Sequence, residues 1–208
     1  LGRQAEYVSM LPFMQVLDDF DPTDIIIFPG RYGNAGILSN LSNYEGKIHI
    51  DMNYDCDDIL DLDTIKIQTV FLSTSSTSFE EFFKEISYDN LIKYFDKKNV
   101  SQLLIKENRG GSWLYDFKEK TSYEAPAHIG EIIHSVGVGD VYDIAFMSEM
   151  VGTNIAGNMA FAAWMSSLYA QTIQQEKFKE NVELIVQNIE DFVEMEGIRV
   201  PWNERVNY

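Results

Sequence analysis

The sequence predicts an α/β fold, with a three-layer sheet whose strands are mostly parallel and whose two faces are covered by helices. Short apolar, often β-branched runs alternate along the chain with longer segments of helical periodicity, and right-handed β–α–β crossovers produce this order. Polar residues and glycines directly follow several of these runs, at the strand ends where sheets of this class bind ligands. Because no internal repeat or low-complexity linker divides the 208 residues, we expect a single domain over 1–208.

Four buried strands are predicted from short runs of apolar residues. The first run stops at Pro29 and Gly30, residues that terminate strands, and the other three runs have a similar length and apolar content. The runs are 24–28, 47–51, 65–72 and 102–106. After the fourth run, Gly110 and Gly111 predict a turn that leads into 112–116.

Helices are predicted where apolar residues recur at helical spacing. Ser78 and Glu81 form a capping box, in which each side chain satisfies a free N–H group at the helix start, so a helix begins there. The other predicted helices are 13–20, 34–44, 89–98, 137–150, 154–172 and 176–194. In 154–172 the Ala, Met and aromatic residues fall at core spacing, which predicts a buried helix.

The composition restricts the partners and the compartment. Lysine and arginine number 16 against 33 acidic residues, so the net charge is −17 and the pI is near 4.4. This charge argues against nucleic acid and against an anionic membrane surface as partners, because their phosphates would be repelled. Cys56 is the only cysteine, which excludes an internal disulfide and favours a reducing, cytoplasmic setting. No apolar run approaches the roughly 18 residues that span a bilayer.

One stretch carries the strongest chemical signal. An apolar run leads into a Gly-x-Gly turn at 137–139, and the turn opens a helix with Asp140 in its first turn. Free N–H groups and the positive end of the helix dipole make such a turn an anion site, and Asp140 could then serve as a general base beside a bound phosphate. A carboxylate that only caps the helix would give the same pattern, so both interpretations stay open.

This stretch resembles the second signature of the ribokinase-like (PfkB-type) carbohydrate kinases, Asp-Thr-Thr-Gly-Ala-Gly-Asp-Ala-Phe. The resemblance implies a Rossmann-like, ribokinase-type sheet. It also implies that Gly137, Val138 and Gly139 form an anion hole and that Asp140 is the catalytic base. The match follows the whole chain in the order of its elements, but only the last two-thirds of a typical family member. We therefore expect the N-terminal third to be missing and 1–15 to be a remnant of the segment that returns from the lid.

The resemblance also implies a set of nucleotide contacts. The segment after the fourth strand occupies the place of the family's Thr-Leu-Gly-x-x-Gly turn: Gly111 matches its last glycine, Asn108 stands at its first, and Lys106 replaces the hydroxyl residue. Asn53 corresponds to the Asn of an Asp-x-Asn that lies near the nucleotide phosphates, and Ser135 belongs to the triplet before the anion hole. The alternatives are an exposed lysine at 106 and an Asn53 that only turns the chain.

Two acidic residues are the implied metal ligands. Asp51 opens the Asp-x-Asn after the second strand, and Glu81 falls where the family has its metal-linked Asn-x-x-Glu, although no asparagine precedes it here. Acids that only turn the chain at a strand exit or cap a helix are the alternative in both cases. His134, which replaces an acid beside the motif, is expected to be a packed histidine whose ring nitrogens are satisfied.

The leading hypothesis is an ATP- and Mg²⁺-dependent phosphotransferase that acts on a hydroxymethyl group of a sugar or nucleoside. The alternative is a degenerate kinase-fold module that binds nucleotide or a partner without catalysis, because hydroxyl and glycine contacts are lost at Ser135-Val136, Lys106 and Asn108. A dinucleotide enzyme is disfavoured, since the Gly-x-Gly comes late and no third glycine precedes Ala145. The sequence leaves the substrate and the oligomeric state open, and a homodimer is among the states that it allows.

Overall fold

The structure is a computed structural model of the 208-residue chain, and it describes residues 24–27, 41–52, 65–75, 88–107, 111–127, 132–173 and 175–187. The helices predicted at 13–20 and after Ser78 lie outside the described residues, as does most of the one predicted at 34–44. No helix within these ranges combines the length and the apolar character that a bilayer span requires.

Six strands in the described ranges form one mixed sheet, in the order β1–β2–β3–β4–β5–β6. Their bounds are Ile25–Ile27 (β1), Ile48–Asp51 (β2), Ile67–Ser73 (β3), Val100–Lys106 (β4), Ser112–Asp116 (β5) and Thr121–Ala125 (β6). β2 runs parallel to both β1 and β3, with His49 opposite Ile26 on one side and Thr69 on the other. β5 and β6 form an antiparallel hairpin. The first four strands confirm the predicted runs, whereas β6 is not among the predicted strands.

Four helices occur in the described ranges: α1 (Tyr88–Phe95), α2 (Val138–Met147), α3 (Ile155–Ala170) and α4 (Gln175–Gln187). They confirm the helices predicted at 89–98, 137–150 and 154–172, and the one predicted at 176–194 as far as it is described. The predicted α/β class is therefore confirmed, with a sheet that is parallel in its first part and ends in a hairpin.

The chain divides into two compact units, Leu1–Leu72 with Ser76–Leu103 and Ser73–Ser75 with Leu104–Tyr208. The core of the first unit consists of side chains on or beside β2, β3 and α1 that are almost inaccessible to solvent. They include Ile50, Met52, Ile67, Val70, Phe71, Leu91 and Phe95. The two helical members are four residues apart, so they share one face of α1.

Helix α3 is the centre of the second unit and packs against α2, α4 and β6. Its sequence is apolar around most of its circumference, and such a helix is stable only when its neighbours cover several sides. Of the side chains predicted at core spacing, Met159, Phe161 and Met165 are buried, whereas Trp164 is 36% exposed and Tyr169 is half-buried. The prediction of a buried helix is therefore confirmed for three of these five side chains.

A histidine is buried in the sheet of the first unit. His49 is only 2% exposed, and neither ring nitrogen has a hydrogen-bond partner within the described structure. Burial lowers the pKa of His49 to about 4, against the opposing effect of the Asp24 carboxylate and with a smaller contribution from the Lys47 charge. The Asp24 oxygen lies 4.0 Å from Nε2, too far for a hydrogen bond. His49 is therefore neutral in the folded protein at neutral pH.

Replacing His49 by leucine should remove part of the pH dependence of stability. His49 takes up a proton near pH 6.5 in the unfolded chain and only near pH 4 in the folded protein. Protonation therefore favours the unfolded chain between these values, so the free energy of unfolding is highest above pH 6.5 and falls as the pH is lowered to 4. Over that window the free energy of unfolding of the wild type should fall by on the order of 3 kcal/mol more than that of His49→Leu. Urea unfolding at a series of pH values measures the difference.

Thr69→Val is the matched control, because Thr69 lies directly opposite His49 and bonds Gln102 at 3.1 Å without titrating. It should change stability by the same amount at every pH. Identical pH slopes for the wild type and His49→Leu would contradict the buried neutral histidine.

Candidate active site

The residue that caps the start of helix α2 is a glycine in the left-handed conformation. Gly137 has φ 81° and ψ −2°, and its carbonyl accepts a hydrogen bond from Val141 N–H at 3.0 Å. A Cβ at this position would lie 3.1 Å from Tyr169 Oη, so both the backbone conformation and the available space favour glycine. Among the described residues no side chain caps this helix start, so the N–H groups at 138–140 remain available to an anion.

Asp140 lies in the first turn of α2, and its side chain is exposed. Within the described residues its carboxylate has no hydrogen bond and no ion pair, whereas a capping carboxylate would bond the N–H groups at the helix start. In this arrangement the three N–H groups can hold an anion, and the exposed carboxylate beside them can accept the proton of a hydroxyl that attacks it.

A buried ion pair lies next to this helix start. Lys106 is the last residue of β4 and is 8% exposed, and its Nζ donates to both carboxylate oxygens of the fully buried Asp143 at 2.7 Å. A Cβ added to Gly139 would have the same Nζ as its nearest neighbour, at 3.4 Å. The alternative of an exposed Lys106 is therefore wrong. Asp143 is not among the predicted site residues, and the signal for it was a lysine that ends an apolar strand and needs an acidic partner once buried.

The adjacent residue of α2, Tyr142, makes a second buried polar contact. Its hydroxyl lies 2.6 Å from Ser112 Oγ at the start of β5. Burial raises the pKa of Tyr142 above its ordinary value, which the Ser112 bond opposes and the Asp143 charge reinforces, so the hydroxyl stays protonated. Asp143 thus binds the last residue of β4, and its neighbour Tyr142 binds the first residue of β5. Between these two strands, Glu107 N–H donates to Gly111 O at 2.8 Å.

The segment that precedes α2 is bound to the end of α3. The N–H groups of Ile133 and His134 donate to Ala170 O at 2.9 and 3.2 Å. His134 Nε2 lies 3.0 Å from Thr172 O, and its ring packs edge-on against Tyr169 with the centroids 4.8 Å apart. The prediction of a packed, hydrogen-bonded His134 is confirmed, and the start of α2 is held from this side too.

Gly111 has a structural reason to be glycine. Its φ is 95°, and a Cβ here would lie 2.2 Å from Ala125 O and 2.8 Å from Ala127 N. Side chains do not tolerate such distances from backbone atoms, so the β5–β6 hairpin requires glycine at this position whether or not a nucleotide binds.

Gly111→Ala should destabilise the protein far more than Gly152→Ala. Both glycines have positive φ, but a Cβ at Gly152 meets nothing within 4 Å. The control should therefore cost about 1–2 kcal/mol for the left-handed backbone, and Gly111→Ala roughly 2 kcal/mol more for the overlap with Ala125 O. Urea unfolding of both variants measures the difference in the free energy of unfolding. Equal losses in the two variants would show that the hairpin accommodates the Cβ at 111 without destabilisation.

The remaining predicted residues are distributed as follows. Asp51 ends β2 and is fully buried in the first unit, while Ser135 is exposed ahead of α2 in the second. Asn53, Glu81 and Asn108 lie outside the described residues. Within the ranges that are described, no three His, Cys, Asp or Glu side chains form a group able to hold a metal ion. The metal ligands and the two asparagines therefore stay predictions.

Comparison with known proteins rests on structure. No protein-family model matches the sequence, and no curated protein is significantly similar to it. The ribokinase of Thermotoga maritima superposes with a TM-score of 0.64 over 88% of this chain and 62% of its own, at 15% identity. The chain has the ribokinase-type fold. The predicted resemblance to ribokinase-like kinases is thereby confirmed at the level of the fold.

Two further structures share the ribokinase-type fold. Arabidopsis thaliana ribokinase, complexed with ribose and ATP, has a TM-score of 0.60 and 15% identity over 83% of this chain and 56% of its own. Salmonella enterica aminoimidazole riboside kinase, with its riboside and an ATP analogue, has a TM-score of 0.59 and 11% identity over 86% and 66%. The chain spans between 56% and 66% of the length of these three proteins.

Proposed function

We propose that the protein is an ATP-dependent phosphotransferase whose acceptor is a hydroxymethyl group of a sugar or nucleoside. The observation that carries the proposal is the start of α2, where three available N–H groups stand beside the exposed carboxylate of Asp140. The ribokinase-type fold supports it, because two proteins with this fold hold a ribose or riboside together with ATP or an ATP analogue.

In this proposal the turn from Gly137 through Val138 and Gly139 is the anion hole. Its N–H groups, with that of Asp140, stabilise the charge that develops on the transferring phosphoryl group. The Asp140 carboxylate accepts the proton of the attacking hydroxyl. The net charge of −17 repels an anion from the protein as a whole. Binding of a phosphate therefore has to come from local donors, and the backbone N–H groups of this turn are such donors.

The nucleotide side of the proposed site comprises Asn53, Asn108, Gly111 and Ser135. Ser135 presents an exposed hydroxyl ahead of the available N–H groups, which suit phosphate oxygens. Lys106 is also among the residues predicted to contact the nucleotide. In the structure its ammonium group donates a hydrogen bond to Asp143 instead.

Asp51 and Glu81 are the proposed ligands of Mg²⁺, because carboxylate oxygens are the hard ligands that this ion prefers. The Asp51 carboxylate ends β2, at the kind of strand end where such sheets bind ligands. When bound, Mg²⁺ would neutralise charge on the nucleotide phosphates.

Asp140→Asn should lower the rate of phosphoryl transfer by about a hundredfold or more, because the amide cannot take the hydroxyl proton. The side chain is exposed, so the variant should fold normally. Transfer from ATP·Mg²⁺ to a panel of sugars and nucleosides, followed by ADP release, measures the effect.

Glu183→Gln, which removes an exposed acid on α4, is the control for the change in net charge and should keep the wild-type rate. An Asp140→Asn variant as fast as the wild type would exclude Asp140 as the base.

A binding module without catalysis is the second candidate function. It is favoured by one observation: the residue at the place of the family's hydroxyl contact, Lys106, is bound by both oxygens of Asp143. Calorimetry with ATP·Mg²⁺ distinguishes the two. Nucleotide binding without transfer to any acceptor supports a nucleotide-binding module, and no binding at millimolar nucleotide excludes the kinase and favours a module that binds a partner.

A further inference from the structure

The buried ion pair joins the end of a strand to the helix that carries the proposed base. Asp143 lies one turn after Asp140 on α2, and Lys106 ends β4. Both carboxylate oxygens are 2.7 Å from Lys106 Nζ, and the Asp143 side chain is fully buried. A buried ammonium 2.7 Å from both oxygens of one carboxylate fixes the distance of this part of the helix from the end of the strand.

The ammonium group also lies under the first turn of α2. Of all atoms in the described structure, Lys106 Nζ is the one that a Cβ on Gly139 would meet, at 3.4 Å. The group that binds Asp143 therefore lies beside the turn whose N–H groups form the proposed anion hole, with room for no more than a Cβ between them.

The second polar contact acts on the same two elements. Tyr142 Oη is 2.6 Å from Ser112 Oγ, so α2 is bonded to the residue that opens β5 as well as to the one that ends β4. The Tyr142 bond joins neutral groups, whereas the ion pair joins charges that are buried and thus costly to separate. Of the two contacts, the ion pair is therefore the one whose loss costs more free energy.

We propose that Lys106 and Asp143 are a positioning pair, which holds the N–H groups at 138–140 and the Asp140 carboxylate in the orientation that phosphate requires. This inference rests on the proposed function. Lys106 acts through Asp143 and Gly139 rather than as a ligand of the nucleotide, since its ammonium is occupied and 90% of its side chain is buried. The pair is neutral as a whole, so the attraction for phosphate comes from the backbone N–H groups.

The test replaces the pair by apolar side chains in the full chain, as Lys106→Met with Asp143→Leu. An apolar replacement of a buried pair commonly keeps the protein folded, whereas removing one partner leaves a buried charge. The control is Lys177→Gln with Glu180→Gln, which neutralises an exposed pair 3.2 Å apart on α4. ¹⁵N NMR follows the amides of Gly137 and Gly139 during titration with inorganic phosphate, and hydrogen exchange follows the Val141 amide, which donates to Gly137 O at 3.0 Å.

In the folded apolar variant, phosphate affinity should fall about tenfold, as expected for a loss of roughly 1.4 kcal/mol. The Val141 amide should exchange at least several-fold faster, while the control variant matches the wild type in both measurements. A purely stabilising pair would leave phosphate affinity unchanged in a folded variant and would speed exchange of the Val141 amide no more than that of the other α2 amides. The positioning role is overturned if either readout equals that of the wild type.

Two further outcomes are distinguishable. If the wild-type amides do not respond to phosphate or to ATP·Mg²⁺, the proposed function fails, and the exchange rate of Val141 alone decides whether the pair holds the helix start. If the apolar variant does not fold, Lys106→Gln with Asp143→Asn takes its place, because two neutral amides keep a hydrogen bond between strand and helix and leave no buried charge. It should show smaller losses in the same direction, and wild-type behaviour would overturn the proposal.

Discussion

A carboxylate in the interior of a protein stays ionised only beside a compensating charge, and this constraint organises the second unit. Asp143 is fully buried in a chain that carries 33 acidic and 16 basic residues. Lys106 supplies the compensating charge 2.7 Å from both oxygens, so the end of β4 and the first turns of α2 are held together. The glycine turn at 137–139, and Asp140 after it, lie at the end of α2 that this link holds to β4.

The fold and the site respond differently to sequence change. At 11–15% identity the chain keeps the ribokinase-type fold, because a fold depends on which positions are apolar and much less on which apolar residue occupies them. The proposed anion site consists of backbone N–H groups, which persist as long as Gly137 can adopt a positive φ at the helix start. Side-chain contacts depend on the identity of each residue and are lost when it changes. Lys106 is an example, because it occupies the position at which ribokinase-like kinases have a hydroxyl residue.

The order of strands and helices was predictable because each depends on a local pattern. The apolar runs became β1 to β4, and the segments of helical periodicity that the structure describes from residue 88 onward became α1 to α4. β6 was not predictable, since Thr-Ser-Tyr-Glu-Ala has neither an apolar run nor a strict alternation, and only Ser122 and Ala125 are buried in it. Its pairing with β5 forms the strand, with Trp113 opposite Glu124.

By itself the sequence determined the α/β order, the glycine bend, the place of Asp140 in the first turn and the resemblance to ribokinase-like kinases, because these depend on residues close together in the chain. Only the tertiary structure decided that Lys106 is buried, since its partner Asp143 is 37 residues away. It alone also gave Gly111 a packing role against Ala125. Contacts between distant residues depend on how whole elements pack, and no local pattern of residues encodes that packing.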